Sequence, residues 1–373
     1  MFDYIIVGAG SAGCVLAHRL SEDPSCKVLL IEAGGDDTLP LSRIPGAYSQ
    51  LQDTYYDWGY RTAPQRHLHG RRIFQPRGKV LGGSSAINYM VYIRGNRGDY
   101  DHWQDLGNDG WSYEDVLPCF VRMECNQRLQ DQYHGSRGPI TVSDHSERSP
   151  LSDTFVEAAQ EVGIPLNSDF NGAVQEGCGY YQMTCRDNAR CSTADGYLAP
   201  IRGRPNLEVT THAHVTRVLI EKNRAIGVEY LSATQGLRTS YAASEVLLCG
   251  GAINSPQLLM LSGIGPADEL KRHGIDVRLD LPGVGCNLQD HLASAIRCTT
   301  KVSHSLSALP EAERSAALHD WQTRRVGPLT SNYLEAGCFL YVDGDDEFPN
   351  LQHFIRPHVT PEYPGGQYPN STG

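Results

Sequence analysis

The chain of 373 residues has no Cys-x-x-Cys pair, no long apolar run and no excess of positive charge. Each absence excludes something. Its 11 cysteines are an odd number, and Cys178, Cys185 and Cys191 stand too far apart for a zinc knuckle. Reduced thiols in a cytoplasmic protein are therefore expected, with no metal. No stretch approaches the ~20 apolar residues that span a bilayer, so no transmembrane segment is expected. No basic-then-apolar leader precedes Tyr4, which argues against a signal peptide. Lys+Arg number 32 against 43 Asp+Glu, a net charge of −11. A nucleic-acid partner would need a concentrated basic face, and none is present. The densest basic stretch, Arg66 to Lys79, is broken by Pro76 and glycines and suits one or two phosphates. What remains is an ordinary globular composition, 40% hydrophobic and 20% charged, at a length that implies two domains.

The amino terminus carries the first positive signal. Tyr4–Val7 is a short continuous apolar run, as in a buried parallel strand. Gly8-x-Gly10-x-x-Gly13 follows, and Ala12, Val15, Leu16, Ala17 and Leu20 keep near-helical spacing from Ser11 to Leu20. Lys27–Ile31 reads as a second strand. Strand, glycine turn, helix and strand within ~30 residues form a dinucleotide-binding unit. Gly8 permits the turn, Gly10 lets backbone approach a pyrophosphate, and Gly13 lets the helix pack on the sheet. The helix N-terminus offers free N–H groups. Glu32 is placed to accept ribose hydroxyls and disfavours a 2′-phosphate. This turn alone leaves NAD and FAD open.

A second glycine stretch, "RGKVLGGSSAINYMVYIRGN", spans Arg77 to Asn96. Gly82-Gly83-Ser84-Ser85 offers consecutive N–H groups and hydroxyls, a nest for phosphate or a flavin edge, with Arg77 and Lys79 beside it. Asn88 both donates and accepts. Val80, Leu81, Ile87, Met90, Val91 and Ile93 argue against a surface loop. Farther on, Val246–Cys249 reads as a strand leading into Gly250-Gly251. Ser255-Pro256 then reads as a cap with proline at the first helical position, Leu258, Leu259 and Leu261 as the buried face, and Gly263 as the stop. Between the two turns, "LEVTTHAHVTRVLI" and "AIGVEYL" alternate like half-buried strands. His212-x-His214 has no third ligand nearby and reads as ordinary strand histidines.

These two long motifs, together with "GVGCNLQDHL" and "YQMTCRDNARCSTADGYLAP", resemble the glucose–methanol–choline (GMC) flavoprotein oxidoreductases over nearly the whole chain, in texture most like the choline-dehydrogenase-type branch. The resemblance implies an α/β fold, α+β overall. It has a discontinuous Rossmann-like FAD-binding domain (1–150 and 205–296) and an antiparallel-sheet substrate domain (151–204 and 297–373), incomplete at the C-terminus. It implies cofactor contacts at Gly8, Gly10, Ser11, Ala12, Gly13, Glu32, Ala33, Val80, Gly82, Gly83, Ser84, Asn88, Tyr89, Met90 and Val91, and a backbone contact from Val215 to the adenine. Members that tether flavin covalently carry histidine where this chain has Ile87, so FAD is expected to be non-covalent. The light-driven decarboxylase branch carries cysteine at the position of Leu334; Cys338 lies four residues later.

The implied activity is oxidation of a small-molecule alcohol to a carbonyl by hydride transfer to flavin N5, with oxygen or a quinone-like carrier as electron acceptor. The family's catalytic histidine, with its histidine or asparagine partner, is expected after Gly373, so no catalytic residue is named here, His291 included. Asn332 and Glu335 are pocket candidates set against a plain polar turn before a strand Cys338–Val342. Two rival readings stand: an NAD-linked dehydrogenase, and a non-catalytic flavin-binding protein ending at Gly373. The sequence says nothing of oligomeric state. A choline pocket would need aromatic faces and a carboxylate around the quaternary ammonium.

Overall fold

The apolar run at the amino terminus forms β1 (Phe2–Val7), which is hydrogen-bonded to a parallel strand on each side. That double burial is why it shows no polar alternation. The computed structural model describes residues 1–37, 40–296, 298, 310–342 and 347–356. Helix α1 (Ser11–Leu20) and β2 (Val28–Ile31) follow β1 as the periodicity requires. Helix α2 (Pro150–Glu161) and β3 (Gly177–Tyr180) come much later. Four strands then run in succession: β4 (Leu207–Thr210), β5 (Ala213–Glu221), β6 (Arg224–Ser232) and β7 (Gly236–Leu248). They lead into α3 (Gly251–Leu261), and β8 (Ala336–Leu340) and β9 (Leu351–Phe354) follow.

Among the described residues the principal sheet has the order β4-β2-β1-β7-β6-β5. β4, β2, β1 and β7 pair in parallel, a Rossmann-like arrangement, and β7, β6 and β5 form an antiparallel ribbon. β7 belongs to both halves. Its first residues pair with β6 and its last with β1. The sequence showed only the apolar end of this strand at Val246, because its first half is largely exposed and lacks an apolar run. Alternate residues of the parallel strands feed two cores. Ile6, Val28 and Leu30 pack with Cys14 and Ala17 of α1 on one face. Ile5, Val7, Leu29 and Ile31 pack with Val218, Val228 and Leu258 on the other. Each such side chain contributes about 1.5–3 kcal/mol by burial.

A smaller antiparallel sheet, β9-β8-β3, buries Cys178, Ala336 and Cys338 against Val156 and Ala159 of α2. Its middle strand starts at Ala336, two residues before the expected Cys338.

Helix α3 corrects another expectation. It begins at Gly251, not at Ser255-Pro256, and Pro256 lies inside it. The chain leaves β7 through Gly251 at φ +82°, a conformation that starts the helix as soon as the strand ends. Leu258 is buried, but Leu261 is exposed, so the face is narrower than three leucines suggested. Gly263, at φ +88°, does end the helix. The turn-rich Pro361–Gly373 lies outside the described residues.

Candidate cofactor site

The first glycine turn is held by backbone, and its demands differ glycine by glycine. Gly8 has φ +99°, and a Cβ there would stand 2.6 Å from the Cys249 carbonyl oxygen. A Cβ on Gly13 would stand 1.9 Å from the Gly8 carbonyl oxygen, so α1 can lie on the turn only without one. Gly10 is different: the nearest atom to its Cβ position is the Gly83 Cα at 3.9 Å. The protein's own packing does not require glycine there. Gly10 is also the N-cap of α1 and supplies no side-chain cap. The first-turn N–H groups of Ser11, Ala12 and Gly13 have no intrahelical acceptors, and Ser11 and Ala12 are exposed. Below them, the Cys14 thiol donates to the Ala9 carbonyl at 3.2 Å, and burial pushes its pKa up to about 12. It stays a neutral thiol.

Glu32 closes the far side of the turn. Its Oε2 accepts the Ala9 N–H and its Oε1 the Gly34 N–H, each at 2.9 Å. The side chain is 6% exposed. Burial raises its pKa against the opposing effect of these N–H groups and of Lys79. Each carboxylate oxygen keeps a lone pair for another donor. Ala33 is half-buried beside it.

The second glycine stretch docks edge-on against the first. A Cβ on Gly34 would lie 1.9 Å from the Lys79 carbonyl oxygen. The Leu81 N–H donates to Gly35 and the Gly82 N–H to Ala9, at 3.0 and 2.8 Å. The nest expected at Gly82–Ser85 is therefore corrected. Gly82 and Gly83, at φ +88° and +53°, turn their N–H groups inward onto Ala9 and Val80, and Ser85 bonds Gly82. The Gly82 N–H fastens one loop to the other, while the bonds of Gly83 and Ser85 close turns within the second loop. Val80, Leu81, Ile87 and Met90 are buried as their composition required, while Ser84 is exposed. Arg77 turns back onto the Pro76 carbonyl, and Lys79 lies 4.8 Å over the Trp58 ring.

Sequence reasoning missed Arg190, which is 2% exposed. Its guanidinium donates to the carbonyls of Ser42, Ser85 and Asn88 and to Asn88 Oδ1, at 2.8–3.0 Å. Asn88 Oδ1 also accepts the Met90 N–H. Both fix the Asn88 amide with its NH2 group turned away from Arg190. Met90 takes φ +59°, and Val91 enters a short ladder with Met183. An arginine within the quoted "DNARCSTADG" was the available signal, but its four acceptors are scattered along the chain.

The remaining candidates disperse. Val215 faces Tyr230 at a β-bulge, where Thr216 is the extra residue. His214 packs on Trp58 from within β5, as a strand histidine, but His212 lies in the turn between β4 and β5 at φ +51°, where it meets the Tyr55 hydroxyl at 3.0 Å. His291 is exposed, and its backbone N–H donates to the Asp290 carboxylate. Leu334 is buried, and burial pushes the Cys338 thiol up to about 11. Glu335 spends Oε2 on the Ser149 N–H and the Ser152 hydroxyl and Oε1 on Ser331. Asn332 Oδ1 accepts from Leu334 and His145 while its NH2 donates to the Tyr89 carbonyl. Both side chains thus brace the turn before β8, the plainer of the two readings.

Asp131, His134 and Asp169 lie close enough together to suggest a metal cluster. His134, however, has Nδ1 on Glu124 and Nε2 on Asp169, each at 3.0 Å, so neither ring nitrogen is free to coordinate. Burial opposes the charged imidazole, but the two carboxylates outweigh it and hold the pKa at about 9. This is an ion network completed by Arg94 on Glu124.

The fold, with a glycine turn braced by a buried acid and a second glycine loop docked on it, is that of a Rossmann-like dinucleotide-binding scaffold. A family model for GMC oxidoreductases matches residues 2–293. The chain belongs to that family. It is 47% identical to an alcohol dehydrogenase [acceptor] of Pseudomonas putida over 96% of this chain and 66% of that one. It is 45% identical to the mitochondrial choline dehydrogenase of Homo sapiens over 96% of this chain and 62% of that one. An FAD-dependent oxidoreductase structure from Chaetomium thermophilum superposes with a TM-score of 0.83 at 31% identity, over 91% of this chain and 62% of that one. The chain thus spans about two thirds of the length of these relatives. Among the described residues no helix is long and apolar enough to cross a membrane.

Proposed function

We propose that the chain binds FAD non-covalently and serves the oxidation of a small-molecule alcohol to a carbonyl. The observation that carries this reading is the clearance at Gly10, where a Cβ would meet no atom closer than 3.9 Å, between an uncapped helix start and a buried carboxylate. A ligand that fills this space needs a group for the N–H donors and hydroxyls for the acid, as a dinucleotide has. Ser11, Ala12 and Gly13 would hold the pyrophosphate, and Glu32 the ribose. Ala33, Val80, Gly82, Gly83 and Ser84 would flank the chain of the cofactor, with the Val215 backbone at its adenine. Asn88, its amide fixed by Arg190, would present NH2 to the ring edge beside Tyr89, Met90 and Val91. When bound, FAD supplies an acceptor for the hydride of the alcohol carbon.

Ile87 offers only carbon where a tether would need nitrogen, which supports non-covalent attachment. Residues 1–150 and 205–296 are assigned to the cofactor and 151–204 and 297–373 to the substrate. Oxygen or a quinone-like carrier would take the electrons. The 11 thiols, none of them in a disulfide, fit the cytoplasm. The test is acid precipitation of the purified chain. FAD should appear in the supernatant. Release of NAD, or flavin kept in the pellet, would refute the cofactor or its mode of attachment.

A further inference from the structure

The first glycine turn lies at one end of α1, and a cavity of about 1120 Å³ opens at the other. Ligand pockets are of this order, ~300–1,000 Å³. None of its lining residues belongs to the two glycine stretches of the cofactor site. Four arginines line it, each from a different segment. Arg19 stands in the last turn of α1 and Arg122 in the last turn of the helix Tyr113–Met123. Arg137 comes from the loop between Gly135 and Gly138, and Arg186 from the hairpin Cys185–Arg190. Against them the described lining has two acids, Asp131 and Asp187. Asp131 already accepts the N–H groups of Tyr133 and His134 on Oδ1. The cavity is thus cationic in a chain of net charge −11, and a concave cationic surface concentrates anions.

Arg19 and Arg122 also serve as bases at helix C-termini, and Arg19 pairs with Glu22 at 2.8 Å. Arg137 and Arg186 stand at no helix end, and both are exposed on fixed backbone. A Cβ on Gly135 would stand 1.9 Å from the Val121 carbonyl oxygen, and one on Gly138 2.2 Å from the Met123 carbonyl carbon. Glycine on both sides of Arg137 therefore lets this loop press on the helix end. The Gly138 N–H donates to the Glu124 carbonyl at 2.8 Å, and the Cys125 thiol to the Ser136 carbonyl at 3.3 Å. The hairpin of Arg186 turns through Asp187 and Asn188, at φ +52° and +55°. Its tip is pinned where the Asn188 amide donates to the Arg325 carbonyl and the Trp321 indole to the Asn188 carbonyl. A monocarboxylate would engage one guanidinium. Engaging several takes an ion with many oxygens and charges on a short chain, which arginine forks bind pairwise.

We propose that this cavity binds a small soluble anion carrying more than one phosphate group, at a site separate from the cofactor turn.

The test is calorimetric titration of the purified chain with inorganic tripolyphosphate, FAD being added first to fill the glycine turn. The groove variants decide the question whether or not FAD is retained. Arg137→Gln combined with Arg186→Gln should weaken binding at least about tenfold. The corresponding lysine pair should keep part of the affinity, as charge without the fork allows. Arg272→Gln, an exposed arginine outside the lining, should stay within about twofold of the parent. An unchanged affinity in the glutamine pair would overturn the proposal. So would an equal loss in Arg272→Gln, which would reduce the effect to general attraction by charge. Sedimentation with vesicles of phosphatidylcholine and phosphatidylglycerol separates a lipid headgroup from a soluble ligand. The chain should stay in the supernatant, and co-sedimentation abolished by the glutamine pair would overturn the soluble assignment. Thermal melts confirm that each variant is folded.

Discussion

The chain passes from strand to helix on glycine twice, at Gly8–Gly13 and at Gly250–Gly251, and the surroundings of the two turns differ. At the first, a Cβ on Gly13 would stand 1.9 Å from a backbone oxygen; at the second, a Cβ on Gly251 would meet nothing within 4 Å. The first helix is pressed onto its own turn and onto the loop at Gly82–Gly83, and Glu32 braces the rim. The second helix is fastened at its far end, where Ser262 accepts the Val218 N–H and donates to Leu258. At its start the Tyr60 hydroxyl donates to Asn254. One pattern of residues thus serves two purposes. The first turn is the proposed cofactor surface, and the second redirects the chain out of β7.

Substitutions should separate the turns, beginning with the largest effect. Gly13→Ala would gain about 1 kcal/mol in helix propensity. The clash with the Gly8 carbonyl outweighs this, and a net loss of about 2 kcal/mol is expected in denaturant melts, together with loss of bound FAD. Equal stability of variant and parent would mean that α1 is not seated on the turn as described.

Glu32→Ala should weaken FAD by roughly 1.5–3 kcal/mol, the value of hydrogen bonds to a charged group. Equilibrium dialysis would register this as a Kd raised by about tenfold or more. An unchanged Kd would place the ribose elsewhere.

The same carboxylate predicts a pH effect in the FAD-free protein. Its folded-state pKa is raised, chiefly by burial. The folded state therefore holds the proton more tightly than the unfolded chain. Its contribution to stability is full below the unfolded value of about 4.3 and is lost as pH rises through the folded value. Glu32→Gln should flatten that decline in melts taken across this range, while a substitution at Gly251 should leave it unaltered. Identical pH profiles for Glu32→Gln and the parent would show that Glu32 does not titrate in this way.

The smallest effect is expected from Gly251→Ala. With no contact to relieve, only the left-handed backbone opposes it, at about 1 kcal/mol. FAD retention should match the parent, and a loss comparable to that of Gly13→Ala would erase the distinction between the turns.

What was legible in the sequence was local. The runs Tyr4–Val7, Ser11–Leu20 and Lys27–Ile31 declare their elements by period, because each buries its own faces within a few residues, and Glu32 follows from its spacing to Gly13. The second helix was misread at its start because Ser-Pro mimics a cap wherever it occurs. The exposed first half of β7 carries no apolar signal at all. Tertiary structure alone decided that the N–H group of Gly82 turns inward, since its acceptor is Ala9 of the first glycine turn. It alone brought Arg190 to Ser42, Ser85 and Asn88, and Arg356 to Tyr48 across more than 300 residues of chain. A buried charge needs acceptors from several segments at once, and no period or spacing along one segment encodes where the others will lie.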